Sequence, residues 1–334
     1  MRLPRAPSLG ELRAHTPGIS PVSDGVARPF WSVMIPTYNS GPFLRRTLES
    51  VLREDPGPEQ MQIEVVDGCS TEDDPERLVE ELGAGRIGFH RLSQNRGPAH
   101  TFNVSIERSR GHWLHILHGD DIVMSGFYRA YAAMIAAQPQ AKMILGQAVK
   151  IDEADRWIGL YGAAVPPVGG GIMDDFVARQ AVRQLVLFNG VVVRRDAYEQ
   201  VGGFCTLFHH VADWDMWFRL GQHAPVAWVP LPYALYRIHA ESDTNRQRST
   251  ASNIRESYFV VGANLARLNG QVSKAQAEPW RSELAVYAES TAWQLDNLEG
   301  RYNQARWAWM LQPTLPRLVH LLKLWLKIRL GRTR

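Results

Sequence analysis

The chain has 334 residues, 45% of them apolar, which is enough for one large domain or a domain with an appendage and excludes disorder as its main state. Its net charge of +3 is mild but uneven, since from Gly300 to the end there are eight Lys/Arg and no Asp/Glu. Cys69 and Cys205 are the only cysteines, which argues against a disulfide framework and suits a reducing, cytoplasmic compartment.

The first 29 residues are Pro-rich, carry Arg5, Glu11 and Arg13, and lack the apolar run of a secretion signal; they are expected to form a flexible arm. Next, "FWSVMIP" reads as a buried strand, "GPFLRRTLESVLRE" as an amphipathic helix and "MQIEVVDG" as a second strand. A helix "PERLVEEL", a strand "RIGFHRLS", a helix from about Ala99 to Arg108 and a strand from Trp113 continue the alternation. Such alternation implies parallel strands joined by right-handed crossovers, with ligands gathered beyond the strands' carboxyl ends. Gly83 to Gly88 matches G-x-G-x-x-G, but it follows a helix and enters a strand, the reverse of what a dinucleotide site requires, so it is read as a helix stop.

The strand from Trp113 ends in Gly119, Asp120 and Asp121. Adjacent carboxylates repel and lose hydration there unless something positive, a helix N-terminus or a metal ion, lies beside them. One Asp suffices to cap the helix expected at Phe127, Tyr131, Met134 and Ile135, and the second needs another explanation. Beyond it, "LFNGVVVRRDAYEQVGGF" suggests a strand and a short helix stopped at Gly202-Gly203. "VADWDMWFRLGQ" suggests a further helix, in which Trp214, Trp217 and Phe218 have core spacing. "VAWVPLPYALYRIH" is expected as an edge or broken strand because of Pro230 and Pro232. From about Ser249 the chain reads as helices, ending in "LPRLVHLLKLWLKIRLGRTR", amphipathic and too interrupted by cations to span a bilayer. No phosphate-loop motif, basic-aromatic ribonucleoprotein motif or zinc spacing occurs, and no nucleic-acid partner is expected.

The segments "SVMIPTYNSGPFLRRTLESVL", "IEVVDGCSTED", "NRGPAHTFNVSIERSRGHWLHILHGDD", "VADWDMWFRLG" and "YRIH" resemble, in order and approximate spacing, the family 2 glycosyltransferases, over about Trp31 to Asp243. The resemblance implies an α/β GT-A fold with a mostly parallel central sheet, a catalytic domain over residues 30–245, and a helical C-terminal region over 246–334. It implies inverting transfer of a sugar from a nucleotide-diphosphate donor to a hydroxyl of a glycan or lipid-linked acceptor, in cell-surface polysaccharide or lipopolysaccharide biosynthesis. By position, donor contacts fall on Pro36, Thr37, Tyr38, Asn39, Asp67, Asn95, Gly97, Asn103, Gly119, Asp120 and Asp121. Asp120 and His239 fall at metal-contacting positions for Mn²⁺ or Mg²⁺, and Asp213 at the catalytic base. Hard oxygen ligands suit either ion, and an imidazole tilts the choice towards Mn²⁺.

Each assignment has a structural rival. Asp213 is also placed to cap its helix, His239 to be an ordinary edge-strand histidine, and Asp67 to be a turn residue before Gly68. Asp215, four residues before Arg219, reads as half of a surface ion pair, and His209-His210 as loop. The chain departs from the family pattern at His118, Gly68 and Phe102, which keeps open a non-catalytic nucleotide-sugar-binding or scaffold protein on the same fold. The basic tail 315–334 suggests peripheral contact with anionic lipid on the inner face of the cytoplasmic membrane.

Overall fold

The computed structural model describes residues 3–161, 169–240, 242–270 and 279–330. Helix α1 (Leu9–Ala14) is followed by β1 (Trp31–Thr37), α2 (Phe43–Arg53), β2 (Met61–Asp67), α3 (Pro75–Gly83), β3 (Gly88–Arg91), α4 (Pro98–Arg108) and β4 (Trp113–Ile116). Then come β5 (Ile122–Val123), α5 (Phe127–Ala137), β6 (Met143–Ile151), β7 (Trp157–Leu160), β8 (Gly171–Ile172), α6 (Phe176–Gln180), β9 (Val191–Arg194), α7 (Arg195–Val201), α8 (Ala212–His223) and β10 (Val226–Arg237). The remaining elements are helices: α9 (Asp243–Thr250), α10 (Ser252–Leu268), α11 (Pro279–Gln294), α12 (Leu298–Leu311) and α13 (Leu315–Arg329).

The strands form one sheet in the order β3-β2-β1-β4-β9-β6-β10-β5, with β7 beside β6 and β8 beside β10. β3, β2, β1 and β4 run parallel, as do β6 and β10, while β9 lies antiparallel between the two blocks. β1 and β2 are buried at every residue, because helices cover both faces and leave no solvated side for polar alternation. Helix α2 turns Leu44, Leu48 and Val51 onto one face, at the spacing that a helix packed on a sheet requires. α3 stops where Ala84 and Gly85 take positive φ, +44° and +82°, so the glycine fingerprint is indeed a helix end.

Two expectations need correction. Residues 8–20 are not a loose arm. Ser8 and Glu11 cap α1 reciprocally, Leu12 is buried in the main core, and the Gly203 N–H donates to the Pro17 carbonyl (2.8 Å). The Arg195 guanidinium also reaches the Ser20 carbonyl (2.9 Å), so the segment straps α7 to the body. β10 is not an edge strand either. It pairs with β6 along its length and with β5 and β8 on its other side, and Pro230 and Pro232 fall in a bulge between Val229 and Ala234. The proline pattern signalled a break in the ladder, and a bulge provides one without placing the strand at an edge.

The boundary drawn at residue 245 also crosses continuous packing. Val260, Val261 and Ala263 of α10 share the core of the sheet's helices, and Arg267 reaches Asp215 of α8 (2.7 Å). α11 and α12 pack together through a separate small core, and Leu321 and Leu324 of α13 close on Ala292 and Ala305.

Candidate active site

The carboxyl ends of β1, β2 and β4 meet at one place. Register sets Thr37 opposite Asp67, the Gly68 N–H donates to the Thr37 carbonyl (2.8 Å), and the Gly119 N–H donates to the Pro36 carbonyl (3.0 Å). A Cβ on Gly119 would lie 2.8 Å from Thr37 Oγ1 and 3.0 Å from Ser40 Oγ, so only glycine lets the acidic turn approach the β1 end this closely. Asn39, with φ of +49°, accepts from the Thr71 N–H (2.8 Å) and knits the turns after β1 and β2 together.

Past Gly119 the acids diverge. Asp121 is 1% exposed; its Oδ1 accepts the Arg237 backbone N–H (3.0 Å), and its Oδ2 has no hydrogen-bond partner among the described residues. Burial, and then the neighbouring Asp120, push its carboxyl well above the usual range. Asp120 also suffers from burial, but a hydrogen bond from His239 Nε2 to Oδ2 (3.0 Å) and the nearby imidazoles hold it below its usual value. Nδ1 of His118 lies 3.9 Å from Asp121 Oδ2, and one ligating atom from each of His118, Asp120 and Asp121 falls within 4.8 Å of the others. One nitrogen and two carboxylates, one of them with a buried oxygen lacking a donor, fit a divalent cation.

His239, expected at a metal-contacting position, hydrogen-bonds Asp120, and the third member of the cluster is His118, one of the departures from the family pattern. Its ring packs against Phe102 (centroids 5.3 Å apart, stacked) and Phe188 (4.5 Å). Phe188 in turn meets Trp217 of α8 (5.2 Å), so an aromatic chain joins the acidic turn to the helix carrying Asp213. Arg237 was missed. Its Nε donates to the Asp120 carbonyl (2.9 Å), its guanidinium pairs with Asp155 (2.5 Å), and it lies over the Phe43 ring (4.7 Å). It stands two residues before His239 in the quoted "YRIH", and that proximity was the available signal.

The expected donor residues divide. Tyr38 is 40% exposed at the cleft, Thr37 is held by Ser40 (2.7 Å), and Asn95 accepts the Gly97 N–H (2.8 Å) in a turn where Gly97 has φ of +88°. Asp67 is fully enclosed; Ser70 and Arg91 occupy its two oxygens, so it shapes the turn and fixes Arg91 instead of presenting an open oxygen. Asn103 is a correction too. Its amide donates to the Phe204 carbonyl (2.9 Å) and accepts the Phe204 N–H (2.6 Å), which clamps α4 to the chain after α7.

On α8, Asp213 sits in the first turn, but the capping position belongs to Val211. Asp213 is half-buried, its Oδ1 takes the Trp214 N–H (2.8 Å), and burial pushes it up to about 7. Asp215 overturns the surface-pair reading. It is wholly buried between Arg219 (2.9 Å) and Arg267 (2.7 Å), and these cations hold it below its usual range against the cost of burial. His209 and His210 lie in a loop whose backbone N–H groups donate to the buried Glu256 of α10 (3.0 and 2.7 Å). Glu256 had no local sequence signal because its partners are 46 and 47 residues away.

An acidic turn at the ends of parallel strands, joined by an aromatic chain to a helix that carries a half-buried carboxylate, suits a nucleotide-sugar transferase. The sequence matches Glycosyl transferase family 2 over residues 32–217, and the chain belongs to that family. The uncharacterized protein MT1568 of Mycobacterium tuberculosis is 29% identical over 248 residues, 70% of this chain and 75% of that protein. A PGL/p-HBAD biosynthesis glycosyltransferase of Mycobacterium bovis is 25% identical over 198 residues, 58% of this chain and 70% of that protein. Among solved structures, S. aureus TarS 1–349 with UDP aligns at TM-score 0.52 and 16% identity, covering 90% of this chain and 91% of that one. A longer S. aureus TarS chain is covered over 55% of its length. The mannosyltransferase PcManGT of Pyrobaculum calidifontis, with GDP-Man and Mn²⁺, aligns at 0.52 and 18% identity, covering 94% and 86%. The fold is GT-A, and the chain is a glycosyltransferase by family.

Proposed function

We propose that the chain transfers a sugar, with inversion and with a divalent metal, from a nucleotide-diphosphate sugar to a hydroxyl of a glycan or lipid-linked acceptor in cell-surface glycan synthesis. The observation that carries this reading is the His118, Asp120 and Asp121 cluster at the strand ends, where a buried carboxylate oxygen lacks a donor. A cation held there supplies positive charge to the departing diphosphate. The protein's own part is to hold the ligands: Arg237 holds the Asp120 carbonyl with its guanidinium and the Asp121 carboxylate with its backbone N–H, and His239 orients Asp120. Asp213 takes the acceptor hydroxyl's proton as that oxygen attacks, and a carboxylate near 7 is suited to do so at neutral pH. The solved neighbours crystallised with UDP, UDP-GlcNAc or GDP-Man support a nucleotide-sugar donor.

The scaffold reading loses its motive. His118 lies within the ligand set, Phe102 stacks on it, and a Cβ on Gly68 would press the Thr37 carbonyl at 3.3 Å. Purified protein incubated with a panel of nucleotide sugars and Mn²⁺ or Mg²⁺ should bind one donor and hydrolyse it slowly. Donor binding without turnover, even with candidate acceptors, would favour the scaffold.

The reading extends to peripheral membrane contact through α13. No helix among the described residues is long and apolar enough to cross a membrane. α13 instead buries Leu321 and Leu324 and exposes Leu315, Leu322, Trp325, Leu326 and Ile328, with Lys323 and Lys327 on the same helix. An exposed apolar stripe beside cations suits a helix lying among anionic headgroups.

A further inference from the structure

Among the described residues, one side chain from outside α8 holds Asp213, and it is a neutral amide. Gln184 donates from Nε2 to Asp213 Oδ2 at 2.5 Å. It comes from the stretch between α6 and β9, which is pinned from several directions. The Leu185 N–H donates to Gln180 Oε1 (3.1 Å), and the Trp214 indole N–H donates to the Gln180 carbonyl (2.5 Å). Asn264 of α10 donates to the Ala181 carbonyl (3.4 Å), and the hydroxyl of Tyr161, at the end of β7, donates to the Gln184 carbonyl (3.3 Å). A side chain on so constrained a backbone sets its partner's orientation instead of following it.

We propose that Gln184 is a positioning residue for Asp213, fixing the carboxylate so that its remaining lone pairs meet the acceptor hydroxyl while leaving it basic. This rests on Asp213 being the base. The chemistry of the partner matters. A cation would stabilise the carboxylate so strongly that it ceased to be a base, as Arg219 and Arg267 do for Asp215 one half-turn along the same helix. An apolar partner would leave Oδ2 of a half-buried carboxylate without a donor, with only the Trp214 N–H on Oδ1, and would favour the protonated form. An amide favours the ionised form modestly and holds one geometry. Among the described residues, Tyr161 couples to Asp213, its phenol raised by burial and then by that charge, with Tyr287 of α11 and Arg183 acting on Tyr161 in turn.

The test compares Gln184→Leu and Gln184→Glu with wild type, measuring kcat and donor KM across pH, with circular dichroism and melting to check the fold. In Gln184→Leu, kcat should fall about tenfold or more, and the acid limb of its pH profile should move alkaline by about one unit, with donor KM unchanged. Gln184→Glu should move the limb further, because two carboxylates would then compete for one proton. A Gln184→Leu variant with wild-type kcat and an unmoved limb overturns the proposal, and so does one whose activity falls equally at every pH. Should Asp213→Asn itself retain turnover, the base assignment fails, and that result is separate from the behaviour of Gln184.

Discussion

Asp213 and Asp215 stand two residues apart on α8, and their surroundings give them opposite work. Asp213 is raised from 3.8 to about 7, so between those values the native state holds a proton that the unfolded chain has released. Its contribution to stability is therefore greatest at low pH and declines as pH rises from about 4 to about 7, while transfer should rise with pH through about 7 as the carboxylate forms. Asp213→Asn should cut kcat by at least about a hundredfold with donor affinity unchanged. It should also melt higher than wild type at pH 8, by a few degrees, because it removes a half-buried charge. Asp215→Asn should do the reverse. It leaves two buried-side guanidinium groups without their counter-ion and should cost about 3–5 kcal/mol by denaturant titration. Local spacing showed the Arg219 partner, four residues on, and made the pair look like a surface one. Arg267 is 52 residues away, and nothing local could announce it.

At the scale of elements, what was legible was what is local. Strands β1, β2 and β4 and helices α2 to α4 carry their pattern in their own residues, and the strand alternation they form was legible from it. What stayed hidden depends on pairing at a distance: β9 inserted antiparallel between β4 and β6, β10 inside the sheet, and the segment after α1 bonded to α7 and the chain beyond it. α13 shows both sides. Its amphipathic pattern was plain, but which apolar residues are buried depends on α11 and α12. Removing everything after Pro313 would strip Leu321 and Leu324 from Ala292 and Ala305 and confuse detachment with unfolding. Substituting the exposed Leu322, Trp325 and Leu326 with Asp avoids this. That variant should keep its melting temperature and donor hydrolysis but lose most sedimentation with anionic vesicles. An intact protein that ignores such vesicles would contradict the membrane reading.

For the molecule as a whole, the family resemblance gave the fold and the family, but not the side chains that surround the acidic turn. His118, a departure from the family pattern, lies in the same turn as Asp120 and Asp121, and its ring packs on Phe102 of α4 and on Phe188. The support from Arg237 depends on pairing at a distance, since it reaches the acids from β10, over a hundred residues later. The central claim is that this cluster holds a cation that grips the donor's diphosphate. Calorimetric titration of a nucleoside diphosphate into wild type and Asp120→Asn, with and without Mn²⁺, tests it most directly. Mn²⁺ should tighten binding to wild type by about tenfold or more, roughly 1.4 kcal/mol, and that gain should vanish in Asp120→Asn while its melting curve is unchanged. Metal-independent binding to wild type, or an undiminished Mn²⁺ effect in the variant, would contradict it.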